Sequence, residues 1–299
     1  MKNKKLWGIA GGLLLLAFTV YVLLDTFVIP RVYTPTYSDN PSQTAGSDHD
    51  SAASPENDVD AVETPAALIT ENSYQDDNIS IVITEYREYE TNIYVADVQI
   101  SSPEYLKTAL AKGVFGHNIT AKVSETAENV NAIFAVNGDY YSVRETGYVL
   151  RNGYLYRDTS SGREILVIYK DGSFSMFKED EISADQLLAD GAEQVLCFGP
   201  SLVRDGNISV STQSETKNPR TAIGQIDDLH YLFAVTDGRV DDSEGLSYYE
   251  MAEFMQSLGA KEAYNLDGGG SSAMYFNGKL INDTLEGERK VSDIVYIGY

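Results

Sequence analysis

Four short stretches hold most of the polar residues in this chain that could do chemistry. They are Ala135-Val136-Asn137-Gly138-Asp139-Tyr140-Tyr141, Asn218-Pro219-Arg220-Thr221-Ala222-Ile223-Gly224, Thr236-Asp237-Gly238-Arg239 and Asn265-Leu266-Asp267-Gly268-Gly269-Gly270-Ser271-Ser272. In each, an apolar strand-like run meets a carboxylate, an amide or an arginine. Loops at strand ends can converge on one cleft, so the four are read together. Taken singly, Asn-Gly-Asp and Asp-Gly are ordinary turn residues, and a lone arginine is an ordinary surface residue. The triplet Gly268–Gly270 asks for more, because a simple turn rarely needs three glycines. Backbone without Cβ can approach a ligand closely, and successive N–H groups can form a concavity that holds an anion. Ser271 and Ser272 add two hydroxyl donors. The expectation is bare backbone facing an anion.

Several chemistries are excluded. The triplet does not match G-x-G-x-x-G, and a strand-like run follows it rather than a helix, which argues against dinucleotide binding. No P-loop sequence occurs. The three histidines, His49, His117 and His230, lie in no obvious motif, which removes a Ser-His-Asp hydrolase and histidine-rich zinc sites. Cys197 is the single cysteine, so there is no intrachain disulfide and no cysteine-based zinc site. No cofactor is required. A calcium ion bound by oxygen ligands from Asp139, Asp237 or Asp267 stays open, without EF-hand spacing. The net charge is −23, and residues 78–299 alone, with 18 basic against 34 acidic residues, carry −16. So acidic a body repels nucleic acid and anionic headgroups, and no nucleic-acid partner is expected.

The stretches AVNGDYY, NPRTAIG, TDGR and NLDGGGSSAMYFNGK, in this order, resemble the phosphodiester glycosidase family. Weaker echoes are Phe198-Gly199-Pro200-Ser201-Leu202-Val203 and Gly287-Glu288-Arg289-Lys290-Val291. The likeness runs over about residues 79–299, with NLDGGGSS its specific piece. It implies hydrolysis of a glycosyl phosphodiester at the sugar's anomeric carbon. The family commonly has a second glycine where this chain has Asp139. A phosphodiester leaving group is already acidic and needs charge stabilisation more than protonation. On this reading Asp267 is nucleophile or general base, with Asp237 the second carboxylate. Arg220 holds phosphate through its rigid fork. Asn137 and Asn265 orient sugar hydroxyls, and Asp139, Arg239, Gly268, Gly269, Gly270, Ser271 and Ser272 complete the binding surface. The substrate expected is a glycosyl phosphodiester or anionic glycan of cell-wall or exopolysaccharide type. A noncatalytic glycan binder and a glycosyl-transferring enzyme are the alternatives.

Ahead of these stretches the composition is different. Lys2, Lys4 and Lys5 precede a charge-free apolar run, Leu6–Leu24, long enough for a bilayer's ~30 Å hydrocarbon core. Residues 1–31 are therefore expected to be a cytoplasmic tip and uncleaved membrane anchor, with the rest outside the cell. Tyr33–Asp77 contains ten acidic residues and neither Lys nor Arg. Residues 32–77 thus read as a disordered tether reaching on the order of 35–40 Å.

Residues 78–299 must position the four stretches, and strand signals dominate them. Ile79–Thr84 and Asn92–Ile100 read as a hairpin pair, as do Glu164–Tyr169 and Ser173–Phe177 about Asp171-Gly172. Thr221–Ile226 and Leu229–Thr236 flank a turn at Asp227-Asp228; Ala273–Phe276 and Lys279–Ile281 flank Asn277-Gly278; Val291–Gly298 ends the chain. Ser247 and Glu250 form a capping box opening a helix whose core stripe is Met251, Phe254, Met255 and Leu258, stopped by Gly259. Shorter helices are expected over Ala184–Ala189 and ahead of Ala132–Val136. The fold class is α+β, a single hairpin-rich mixed-sheet domain with a few packing helices.

Overall fold

A computed structural model describes residues 2–33, 67–211, 216–284 and 287–299. The fold is α+β. Its backbone is a nine-stranded sheet centred on the hairpins Ile79–Glu88 with Thr91–Ile100 and Thr221–Asp227 with His230–Thr236. A five-stranded sheet carries Phe134–Asn137, Met274–Phe276 and Asp293–Ile297, and a second carries Val149–Arg151, Glu164–Tyr169 and Ala192–Leu196. All described strand pairings are antiparallel rather than mixed, because hairpins supply most connections.

The main core lies where the three sheets face one another. Alternation along Ile79–Glu88 buries Ile79, Ile81 and Ile83 and exposes Val82, the period-2 pattern of a strand with one covered face. Phe134 and Phe233 meet edge to face at 5.0 Å and join two sheets. The helix Tyr248–Ser257 covers the other face of the large sheet. Its capping box is present: the Ser247 hydroxyl accepts from the Glu250 N–H at 3.1 Å, and Glu250 accepts from the Ser247 N–H at 2.8 Å. Met251 and Met255 are core side chains. Val123–Asn129 and Ala184–Ala189 are the two shorter helices.

Three boundaries differ from expectation. The turn after Thr221–Asp227 sits one residue later, at Asp228 and Leu229, where Leu229 takes φ +53°. An irregularity between Gln225 and Asp227 consumes the extra residue. Leu68–Ile69 and Ser73–Gln75, expected within the tether, are the last two strands at one edge of the nine-stranded sheet, with Leu68–Ile69 outermost and Tyr74 buried. The strongly acidic composition masked two short runs, of which Ser73–Gln75 pairs with Ile79–Glu88 and Leu68–Ile69 pairs with Ser73–Gln75. Residues 34–66 of the expected tether lie outside the described residues.

The segment expected to be an anchor is a helix, Lys2–Phe27. Among the described residues no helix is long and apolar enough to cross a membrane. After it, Arg31–Val32 pairs with Gly116–His117, and the Thr26 carbonyl meets the His117 ring at 3.0 Å.

Candidate active site

The four polar stretches do converge. The Asp267 N–H donates to the Gly138 carbonyl at 3.1 Å, and the Asn137 amide donates to the Asp267 carbonyl at 2.6 Å. The Asn137 side-chain oxygen accepts from the Thr221 hydroxyl at 2.7 Å and the Ala273 N–H at 3.2 Å. Asn137 is therefore a fully buried fastener of three stretches, not a residue facing sugar hydroxyls. Asn265 is corrected in the same way. It is fully buried, and its amide donates to the carbonyls of Gly199 at 2.9 Å and Leu266 at 2.8 Å. An amide at a strand end reads alike in sequence whether it faces a ligand or the backbone of a neighbouring loop.

Asp267 is the titratable centre. Its side chain is 8% exposed. Burial pushes its carboxyl pKa up to about 6; Ser271 and the Gly268 N–H oppose the shift, the Asp139 charge adds to it, and Arg289 pulls against it. The Gly268 N–H bond measures 2.8 Å. A carboxyl so placed changes protonation state near neutral pH, the range useful to a general base.

The glycine triplet has a different cause from the one expected. A Cβ on Gly268 would lie 2.9 Å from the Pro219 carbonyl oxygen, so this glycine admits the backbone of the loop ahead of Thr221–Asp227. Gly269 takes φ +63° and donates its N–H to Pro219 O at 2.8 Å. The N–H groups of Gly268, Ser271 and Ser272 also bond within the loop. Among the described residues only the Gly270 N–H, of those from 268 to 272, lacks a partner. The expected nest of free N–H groups is therefore not formed.

Positive charge comes instead from arginines. Arg239, itself at φ +62°, donates to Asn218 Oδ1 and rests its guanidinium about where a Gly269 side chain would point. Arg289 lies beside Gly270 in the same way. Arg220 is buried, with Nε on Leu246 O at 2.9 Å, Nη2 on Thr216 O at 3.0 Å and its face on the Tyr248 ring, 3.8 Å from the centroid. Burial lowers its pKa, and Arg239 repels it further, yet the guanidinium stays charged. Among the described residues, none of these three arginines forms an ion pair with a carboxylate. Arg220 alone of the three is buried, and a buried cation without a counter-ion is unfavourable.

Asp139 has another task. Its Oδ2 accepts from the Cys197 N–H at 2.7 Å and faces Arg151 Nη2 at 3.4 Å. Arg151 Nε donates to Asp293 at 2.6 Å, and Asp293 Oδ1 accepts from the Asp139 N–H at 2.7 Å. Burial would lower the Arg151 pKa, but the Asp293 and Asp139 carboxylates more than offset it. Gly138 is required here, since a Cβ would fall 2.5 Å from Asp293 Oδ1. Asp139 therefore lies beneath the site as part of a closed triad. Sequence reasoning missed Arg151 and Asp293, although a charge inside each of the apolar strands Val149–Arg151 and Asp293–Ile297 was a usable signal.

Asp237 stands apart. Its carboxylate accepts from Tyr94 at 3.2 Å, the Asn92 amide at 3.5 Å and the Asp283 N–H at 3.0 Å, and it shares no partner with Asp267. The structure does not bring the two together as a carboxylate pair. Ser271 touches Asp267, whereas the Ser272 hydroxyl is buried without a partner among the described residues. Asp139, Asp237 and Asp267 do not converge on a metal-binding group; none of three or more His, Cys, Asp and Glu side chains occurs among the described residues.

A family model described as phosphodiester glycosidase matches residues 130–298. The chain is 29% identical over 269 residues to the SPbeta prophage-derived uncharacterized protein YomE of Bacillus subtilis, covering 80% of this chain and 42% of that protein. It is 27% identical over 183 residues to the mouse N-acetylglucosamine-1-phosphodiester alpha-N-acetylglucosaminidase, covering 54% of this chain and 35% of that enzyme. The chain thus spans less than half the length of these curated relatives. The catalytic domain of the zebrafish N-acetylglucosamine-1-phosphodiester alpha-N-acetylglucosaminidase superimposes with a TM-score of 0.59 at 21% identity, over 74% of this chain and 83% of that one. A hypothetical protein from Synechocystis gives 0.59 at 14% identity, over 74% and 62%. These two structures share the fold.

Proposed function

This chain belongs to the phosphodiester glycosidase family, and from that premise we propose that it hydrolyses a sugar from a glycosyl phosphodiester. The observation that carries the reading is the pairing of one buried carboxyl with three arginines unpaired among the described residues, at a single loop. Asp267 takes a proton from water as the water oxygen attacks the anomeric carbon. The bond from that carbon to the phosphate oxygen breaks, and its electron pair leaves on the phosphomonoester. Arg220, Arg239 and Arg289 receive the charge that develops there. Such charge-assisted contacts contribute roughly 1.5–3 kcal/mol each. Asp139 does not touch the reacting atoms; with Arg151 and Asp293 it fixes the loop whose Gly138 carbonyl holds Asp267.

The proposal extends to an enzyme held at the cell membrane and acting on a phosphodiester-containing polymer outside it. Its support is the lysine-flanked charge-free run Leu6–Leu24 and the exposed apolar side chains from Leu13 to Leu24.

The test is turnover of an N-acetylglucosamine 1-phosphate diester by the full chain. Asp267→Asn is expected to lower kcat by about 10²–10⁴-fold with substrate affinity largely retained. Wild-type protein that leaves every member of a glycosyl phosphodiester panel intact would overturn the hydrolase reading.

A further inference from the structure

The buried guanidinium of Arg220 is gripped by two short segments of the chain. Its Nε donates to the Leu246 carbonyl at 2.9 Å and its Nη2 to the Thr216 carbonyl at 3.0 Å. The two segments are themselves zipped together. Asn218 and Leu246 exchange backbone hydrogen bonds at 3.1 and 2.9 Å, and a Cβ on Gly245 would collide with the Asn218 backbone. Lys217 closes the seam, with Nζ 2.9 Å from Glu244 and 3.2 Å from Glu250. With two guanidinium nitrogens committed to backbone, Nη1 is the end that can receive an anion. The glycine loop is adjacent, since a Cβ on Gly268 would lie 3.8 Å from the Arg220 Cα.

Two carbonyls hold the edges of the guanidinium and leave its tilt open. Tyr248, the first residue of the helix Tyr248–Ser257, supplies the missing constraint, because its ring centroid lies 3.8 Å from the guanidinium carbon. The start of that helix is itself fixed by the Ser247–Glu250 capping box, and the same Glu250 carboxylate holds Lys217. Glu250 thus ties the element carrying the ring to the loop carrying the arginine. A cation stacked on an aromatic face gains most where water is excluded, and Arg220 is buried. Burial and Arg239 disfavour its charge, whereas Tyr248 favours it.

We propose that Tyr248 is the positioning residue for Arg220: its ring sets the guanidinium plane so that Nη1 is presented to an anion at the glycine loop. Tyr248 does not touch the reacting atoms and acts through the arginine. The inference rests on the reading that Arg220 receives phosphate charge, and it adds a residue that none of the four polar stretches contains. A guanidinium already oriented loses less freedom when an anion binds, so the stack contributes to anion affinity. Tyr248 also packs against the core beneath the helix, and a purely structural role predicts lost stability instead.

The experiment titrates inorganic phosphate into the full-length protein by calorimetry, so that it does not depend on turnover. Tyr248→Leu, which retains apolar volume, is expected to weaken phosphate binding about 10-fold, and Tyr248→Phe, which retains the ring, less than about three-fold. Both variants should melt within about 3 °C of the parent. In Arg220→Lys protein, adding Tyr248→Leu should change phosphate affinity less than about two-fold, because an ammonium has no plane to orient. Parental phosphate affinity in folded Tyr248→Leu protein overturns the positioning role. So does an equal loss in Tyr248→Phe, or a 10-fold loss that persists in the Arg220→Lys background. Wild-type protein that cleaves no glycosyl phosphodiester yet shows the expected pattern would leave the positioning role standing and sink only the hydrolase reading.

Discussion

The molecule contains two groupings of charge, one buried and one that reaches the surface, and they are built on opposite principles. Beneath the site, Asp139, Arg151 and Asp293 meet at 2.6 and 3.4 Å, with backbone N–H groups satisfying the remaining oxygens. Around the glycine loop, buried Arg220 finds two backbone carbonyls and an aromatic face, exposed Arg239 finds the Asn218 amide oxygen, exposed Arg289 lies beside Gly270, and none forms a carboxylate ion pair among the described residues. The first cluster finds its ion-pair and hydrogen-bond partners within the chain. The second leaves its cations without a carboxylate among the described residues. Burying the Asp267 carboxyl, with its pKa pushed up to about 6, costs stability in the way functional sites often do.

The largest expected effect breaks the closed cluster. Arg151→Met leaves two buried carboxylates without their cation, and should lower unfolding free energy by about 3–5 kcal/mol, read from urea denaturation. A loss under about 1 kcal/mol would show that the triad is not what holds the Gly138 loop.

Asp267→Asn should move stability the other way. Burial raises the folded pKa to about 6, above the ordinary aspartate value of about 3.9, so ionising Asp267 disfavours the folded state. Stability should therefore fall as pH rises from about 4 to about 6 and level off above, by up to roughly 3 kcal/mol. The Asn variant should lose that pH-dependent segment and unfold no more easily than the parent at pH 7.5. In wild type the same group sets the acidic limb of kcat/KM, with activity rising through about pH 6. A limb near pH 4 would place the base elsewhere.

Arg220→Lys retains charge and loses the fork that reaches Leu246 and Thr216. We expect a 10–100-fold drop in kcat/KM, about 1.4–2.8 kcal/mol, with a near-parental melting temperature. Unchanged kcat/KM in a folded variant would remove Arg220 from the site.

The smallest effects separate the glycines. Gly268→Ala meets the Pro219 carbonyl and should cost about 1–3 kcal/mol of stability. Gly270→Ala meets only the Arg289 side chain at ordinary contact distance, 3.5 Å, and should change stability by under about 0.5 kcal/mol. Equal losses at both positions would mean that the loop responds to flexibility rather than to close approach.

Which parts were legible follows from where the physical signal resides. The hairpins Glu164–Tyr169 with Phe174–Lys178 and the capped helix Tyr248–Ser257 announce themselves through periodicity, turn residues and caps, all local. Asp267 was legible because a carboxylate beside three glycines interrupts an apolar run. Asn137 and Asn265 misled because a side-chain amide bonds equally well to sugar or to peptide, and only distances of 2.6–2.9 Å to backbone carbonyls decide between them. Arg151 and Asp293 are 142 residues apart, and no local pattern couples them.

The sequence by itself determined that this is a strand-rich α+β body whose polar residues gather at strand ends, with arginine and carboxylate among them. Those features follow from alternation, turn chemistry and composition, which act over a few residues. Tertiary structure alone decided which carboxylate stands among unpaired cations and which is neutralised. That choice depends on burial and on distances between residues far apart in the chain: Asp139 folds onto Arg151, Asp237 onto Tyr94 and Asn92, and Asp267 onto the glycine loop.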